Sequence, residues 1–191
     1  MPTDQSKSET ASQERSPQLS NLEDKFVTAS KTVYEMASAD LNVSNFQLHV
    51  LEQLTNAGRI DPKTSKQIKL CFQEALTNSL DHGNLELESV WKEEIDENGI
   101  DRYEKIRRER LANSQFGSRL IFIDAEFDGS KLAIVIKDQG KGFDINKKVK
   151  EASDNQDNHG RGLFLMKEIL DNVTYAKGGT EVLLIKNIKN K

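Results

Sequence analysis

Apolar and polar positions alternate with different periods along the chain, and the periods mark out its elements. Residues 118–127 and 131–137 predict strands, and Asp128-Gly129 between them is the strongest short hairpin signal in the chain. Phe46, Val50, Leu51 and Leu54 keep helical spacing. They predict a first helix after Ser44, whose hydroxyl can cap free amides, with Gly58 as its stop. A second helix is expected from Asp61-Pro62, with Asp61 as cap and Pro62 at the first helical position. It runs to about His82, and Gly83-Asn84 ends it. Tyr103, Ile106 and Leu111 make one side of an amphipathic helix that starts at Asp101. A helix over 162–170 follows, then strands over 173–176 and 180–185 around Gly178-Gly179. Phe26-Val27-Thr28-Ala29 is a candidate edge strand near the beginning.

Polar stretches frame these elements. Residues 1–22 hold almost no large apolar side chain and predict a disordered tail, because such a segment cannot bury enough surface to offset chain entropy. Residues 85–115 form a charged insertion interrupted by Asn98-Gly99, and 188–191 a fraying basic end. The Asn- and Asp-rich linker 145–159 is too long for a simple connection, and loops of that kind often act as lids. The ordered domain is therefore expected over 23–187.

Composition narrows the function classes. A chain of 191 residues suits one domain with some excess. Hydrophobic content of 36% and a mean hydropathy of −0.66 describe polar appendages around an adequate core. With a net charge of −4 and a pI near 5.5 there is no global drive toward nucleic acid or anionic membranes. No apolar run approaches a bilayer span, and the first residues lack the apolar core of a signal peptide, so a soluble cytoplasmic protein is expected. The single Cys71 rules out an intrachain disulfide and a cysteine-rich metal cluster. His49, His82 and His159 are too few to make a structural zinc site attractive.

Three separated segments carry candidate chemistry. On the second helix Glu74 and Asn78 lie about 40° apart, and Asp81 and His82 return to the same flank. Ile68, Phe72, Ala75, Leu76 and Ser79 centre about 130° away, so the helix can bury one stripe and present the other. A carboxylate can take a proton from a hydroxyl or water, and an amide oxygen suits magnesium. Taken alone, the pair is more often a solvated polar face, and His82 a capping or packing residue. Asp138-Gln139-Gly140-Lys141-Gly142 ends a β-branched strand. There an aspartate can accept from an exocyclic amine such as that of adenine, and glycines let backbone approach a ligand; an ordinary turn fits too. Gly160-Arg161-Gly162 opens a helix whose free amides and dipole favour phosphate, although Asp157 or Asn158 could simply cap it. Gly178-Gly179-Thr180 fits a tight hairpin best. Neither a P-loop nor a Rossmann glycine pattern is present.

In order, the three segments resemble the GHKL (Bergerat-fold) ATPase superfamily, nearest to the bacterial anti-sigma factor serine/threonine-protein kinases. Glu74-Ala75-Leu76-Thr77-Asn78 with His82-Gly83, Asp138 to Asp144, and Gly160-Arg161-Gly162-Leu163-Phe164-Leu165-Met166 carry the likeness, with Gly179-Thr180-Glu181-Val182 entering the strand that ends the site. The resemblance implies an α+β fold, a two-layer α/β sandwich with a mixed, mostly antiparallel sheet and helices on one face. It implies ATP and Mg2+ as cofactors, Glu74 as the catalytic base and Asn78 as the metal ligand. Asn78, Asp81, His82, Asp138, Gly140, Gly142, Gly160, Arg161, Gly162, Leu163 and Thr180 would bind the nucleotide, Asp138 reading the adenine amine with Thr180 assisting. Residues 145–159 would be the ATP lid. The implied activity is phosphorylation of a STAS-domain antagonist in a partner-switching system, with a sigma factor or other regulator sequestered and a homodimer as the working state. The alternative is a module that binds ATP and sequesters a partner without efficient transfer. The insertion at 85–115 is longer than in compact members and resembles versions associated with phosphatase-linked regulators.

Overall fold

The computed structural model describes residues 29–95, 99, 101–143 and 161–188. The expected tail 1–22, residues 26–28 of the candidate edge strand, the expected lid 145–159, Gly160 and the last three residues lie outside them. The order is β1 (Ser30–Ala37), α1 (His49–Asn56), α2 (Pro62–Thr77) with a π-helical turn (Asn78–Asn84), a 3-10 turn (Ser89–Glu93), α3 (Arg102–Ala112) and α4 (Ser114–Gly117). Then come β2 (Leu120–Phe127), β3 (Lys131–Lys137), α5 (Arg161–Ile169), β4 (Asn172–Ala176) and β5 (Glu181–Asn187). The α+β fold is as expected.

The strands form one sheet in the order β1-β2-β3-β5-β4. All four pairings among the described strands are antiparallel, in keeping with the mostly antiparallel sheet expected. Strand period 2 sends Ile121, Ile123, Ala125 and Phe127 of β2, Leu132, Ile134 and Ile136 of β3, and Val182 and Leu184 of β5 to one buried face. That face merges with Val50, Leu51 and Leu54 of α1, with Ile68, Phe72, Ala75 and Leu76 of α2, and with Met166 of α5 into a single core. The stripe read from helical spacing on α2 is thus the buried one.

Local signals explain most boundaries. The Asp61 carboxylate accepts from Lys63 N at 2.9 Å and Thr64 N at 3.0 Å, with Pro62 opening α2. Asp101 caps α3 by accepting from Glu104 N at 2.7 Å. In the hairpin, Asp128 Oδ1 accepts from Ser130 N and Lys131 N, and Gly129 takes the φ of +99° that an L side chain resists.

Two expectations need correction. The first helix begins at His49, and the residue before it, Leu48, gives no side-chain cap; Tyr34 Oη accepts from His49 N at 3.0 Å instead. Ser44 and Phe46 precede the helix, and Phe46 packs between Tyr34 and Phe72 with ring centroids 5.0 and 5.5 Å away. The edge strand is Ser30–Ala37, beginning just beyond the predicted Phe26–Ala29 segment. Its outward residues Lys31, Val33 and Glu35 mix charge with an apolar side chain, which blurs the alternation that marks a half-buried strand. Among the described residues no helix is long and apolar enough to cross a membrane.

Phe72 is 1% exposed at the junction of α2 with this core. Phe72→Ala is expected to lower the unfolding free energy by about 3–5 kcal/mol, measured by urea denaturation.

Candidate functional site

The end of the second helix differs from the regular α-helix expected up to His82. After Thr77 it widens into the π turn, where Leu85 N donates to Leu80 O at 2.8 Å. Ser79, Leu80, Asp81 and Asn84 are buried within it. A regular helix would leave Asp81 on the flank of Asn78. In the wider turn the Asp81 carboxylate instead meets α3, accepting from Arg107 Nε at 2.9 Å and from the Tyr103 hydroxyl at 3.0 Å. His82 Nδ1 lies 2.7 Å from the Leu87 carbonyl, and the ring meets Tyr103 edge-on. Both residues are therefore engaged by the inserted segment.

Asn84 closes the turn onto the sheet. Fully buried, it accepts from Gln139 N at 2.7 Å through Oδ1 and donates through Nδ2 to Ser38 Oγ at 2.9 Å and the Leu120 carbonyl at 3.0 Å. One amide thus joins the helix end to the beginning of β2 and to the backbone just past Asp138.

That junction brings the first two segments together. A β-carbon built on Gly83 would lie 2.5 Å from Asp138 Cγ, and one on Gly140 would run into the Gly83 backbone. Gly140 N donates to Asp138 Oδ1 at 2.9 Å, and the Ser79 hydroxyl also hydrogen-bonds this carboxylate. Asp138 N in turn donates to the Thr180 carbonyl at 3.0 Å, which places Thr180 beside the aspartate, while the Thr180 hydroxyl bonds Lys177 O at 3.1 Å. Gly142, at φ +71°, abuts Gly178, and Phe143 N donates to the Gly178 carbonyl at 2.7 Å. The third segment meets the first at Gly162, where an added β-carbon would sit 2.6 Å from Glu74 Oε2. Leu163 packs half-buried against the core. Arg161 opens α5, and its side chain lies outside the described residues.

Glu74, Asn78, Asp138, Gly140, Gly142, Gly162 and Thr180 are thus gathered around the end of α2, whereas Asp81 and His82 are committed elsewhere. Among the described residues, no hydrogen bond or ion pair engages the side chains of half-buried Glu74 and Asn78. Burial pushes Asp138 up to about 6, against the opposing bonds from Gly140 and Ser79.

A family profile for the histidine kinase-like ATPase domain matches residues 37–186, most of the chain and all three segments. The chain belongs to this family. No curated protein matches it. A histidine kinase-like ATPase domain is an ATP-binding unit, and the residues present fit that ligand. The glycines leave room that any β-carbon would fill, a carboxylate stands at a strand end, and a carboxylate and an amide on α2 have polar atoms uncommitted among the described residues. No group of three or more His, Cys, Asp or Glu among the described residues is placed to hold a metal. Magnesium suits such a site, because it keeps waters and phosphate oxygens and needs only one or two protein oxygens.

Sequence reasoning missed three contributors: Ser79 on the aspartate, Asn84 at the junction, and Glu86. The Glu86 carboxylate pairs with Arg119 and with Lys141 of the glycine turn, each at 2.8 Å. Asn84 could have been noticed as a polar residue following the helix-ending glycine, but its side-chain partners are 36 to 55 residues away in sequence.

The raised Asp138 pKa has a definite sign. Its folded value of about 6 exceeds the unfolded value of about 3.9, so the protonated form is favoured by folding. That stabilisation is complete below about pH 4 and lost as pH rises through about 6. Urea unfolding across this range should show wild-type stability, taken relative to Asp138→Asn, falling as pH increases. A flat difference would mean that the carboxyl is not desolvated.

Proposed function

We propose that this protein is an ATP-dependent serine/threonine-protein kinase of the anti-sigma factor type. Its substrate would be a STAS-domain antagonist, and its second partner a sigma factor or other sequestered regulator. The observation that carries the enzyme reading is Glu74. Its carboxylate lies against Gly162 at the start of α5, one helical turn from Asn78 and without a partner among the described residues. Binding a nucleotide requires no base, so a carboxylate kept at this place argues for chemistry.

The residues divide the work as follows. Asp138 accepts from the adenine amine, for which it must be ionised, and Thr180 stands beside it. The backbone at Gly140, Gly142 and Gly162 approaches the nucleotide closely because no side chain intervenes. Asn78 supplies the protein's oxygen to magnesium. Bound Mg-ATP supplies the phosphoryl group and offsets the charge that develops on it. Glu74 takes the proton from the partner's serine or threonine hydroxyl as that oxygen bonds to phosphorus and the bond to ADP breaks. A cytoplasmic homodimer is part of the same proposal.

Asn78→Ala is expected to abolish magnesium-dependent nucleotide binding. Glu74→Ala should retain binding and lose about 10²–10⁴-fold in transfer. Calorimetric titration with Mg-ATP checks binding in both variants, and incubation with γ-labelled ATP and candidate STAS proteins, followed by mass spectrometry of the partner, checks transfer. Transfer at the wild-type rate by Glu74→Ala would refute its role as base. Absent transfer with nucleotide-dependent complex formation intact would favour an ATP-governed sequestering module.

A further inference from the structure

The inserted segment packs against the π turn, and its contacts fall on residues between Asn78 and the glycine turn. Asp81 is 5% exposed and takes Arg107 on one oxygen and Tyr103 on the other. Its own carbonyl accepts from Leu87 N at 2.8 Å, so the chain entering the insertion folds back on the same residue. Arg110 Nη1 donates to the Leu85 carbonyl and to the Glu86 carbonyl, at 2.7 Å for the latter, and its guanidinium lies over Trp91 and Phe116. Lys92 Nζ sits 4.5 Å from the centre of the Tyr103 ring. Two arginines and a tyrosine of α3 thus hold the turn at Asp81 and at residues 85–86.

We propose that Asp81, Arg107 and Tyr103 are positioning residues for the nucleotide site: α3 fixes the π turn and thereby places Asn78 and Gly83. This rests on the reading of the site as one for Mg-ATP and assigns a role to the insertion. Stability alone is a weak reason for such a cluster, because well-packed apolar residues often replace a buried ion pair without loss. What the cluster supplies is a single register. Asp81 is three residues beyond Asn78 and two before Gly83, and its two oxygens are fixed by separate donors on one rigid helix. Moving the turn would shift the Asn78 amide relative to Glu74 and separate Gly83 from Asp138, with which it is in contact. Asp81 itself stays out of the nucleotide's reach, since its carboxylate is already occupied.

The test is calorimetric titration of the full chain with ATP, in magnesium and in EDTA, for wild type, Arg107→Ala and Tyr103→Phe, alongside thermal unfolding without nucleotide. Tyr103→Phe keeps the ring and removes only the hydroxyl, so it remains informative where Arg107→Ala folds poorly. Loss of such supporting contacts typically costs about 10–100-fold in metal affinity, and Arg107→Ala should lose about that much affinity in magnesium and distinctly less in EDTA. Tyr103→Phe should lose less, in the same pattern. Variants that melt earlier yet bind Mg-ATP as wild type does would overturn the inference and leave the nucleotide reading standing. A wild-type chain that takes up no Mg-ATP would overturn both.

Discussion

The end of α2 meets the end of β3 across a gap too narrow for a β-carbon. Gly83 and Gly140 lie backbone against backbone, with the Asp138 carboxyl beside them. The arrangement of the site depends on this approach. A side chain at 83 must displace either the Asp138 carboxyl or the helix end, which would disturb the bonds that Ser79 and Asn84 make on and just beyond Asp138. The widened turn is the backbone's way of keeping the contact. An i-to-i−5 bond carries the chain once more around before it leaves the helix, which brings Gly83 to the aspartate and Asn84 to Gln139 N.

The glycine turn is held on its other side by electrostatics. Glu86 sits at φ +51°, a left-handed conformation uncommon for a glutamate. Burial would raise its pKa, but hydrogen bonds from Lys141 and Arg119 outweigh this and lower it, so the carboxylate stays ionised between them. The two pairs are unequal. Lys141 is 81% exposed and its share is screened by solvent, whereas Arg119 is half-buried and also donates to the Asn84 carbonyl at 2.7 Å. Arg119 at the beginning of β2 therefore ties Asn84 and Glu86 to the sheet together, and the insertion starts from a point already fixed.

Much of the fold was legible because its signals are local. Asp61-Pro62, Asp101 and Asp128-Gly129 each determine a boundary through hydrogen bonds within three residues, and the α2 stripe follows from period alone. The motif residues were legible as types in order, and Glu74, Asn78, Asp138, Gly140, Gly142, Gly162 and Thr180 do come together. What was not legible depends on partners far away in the sequence. The π turn cannot be inferred from residues that also fit an α-helix. The commitment of Asp81 arises from Arg107 and Tyr103, 26 and 22 residues on. Helical geometry therefore placed Asp81 and His82 on the flank of Asn78, and the bonds to Arg107, Tyr103 and the Leu87 carbonyl come from packing that local sequence does not show. The start of α1 was missed for the same reason, since its first-turn amide is met by Tyr34 on a strand.

We propose that these three segments, closed at Gly83, make one magnesium-nucleotide site. Calorimetric titration of Mg-ATP into wild type and Gly83→Val tests it most directly, with circular dichroism to show that both are folded. Such a site requires saturable binding of one nucleotide per chain in the wild type, lost in the folded variant. Equal binding by the two proteins, or no saturation by the wild type into the millimolar range, would contradict it.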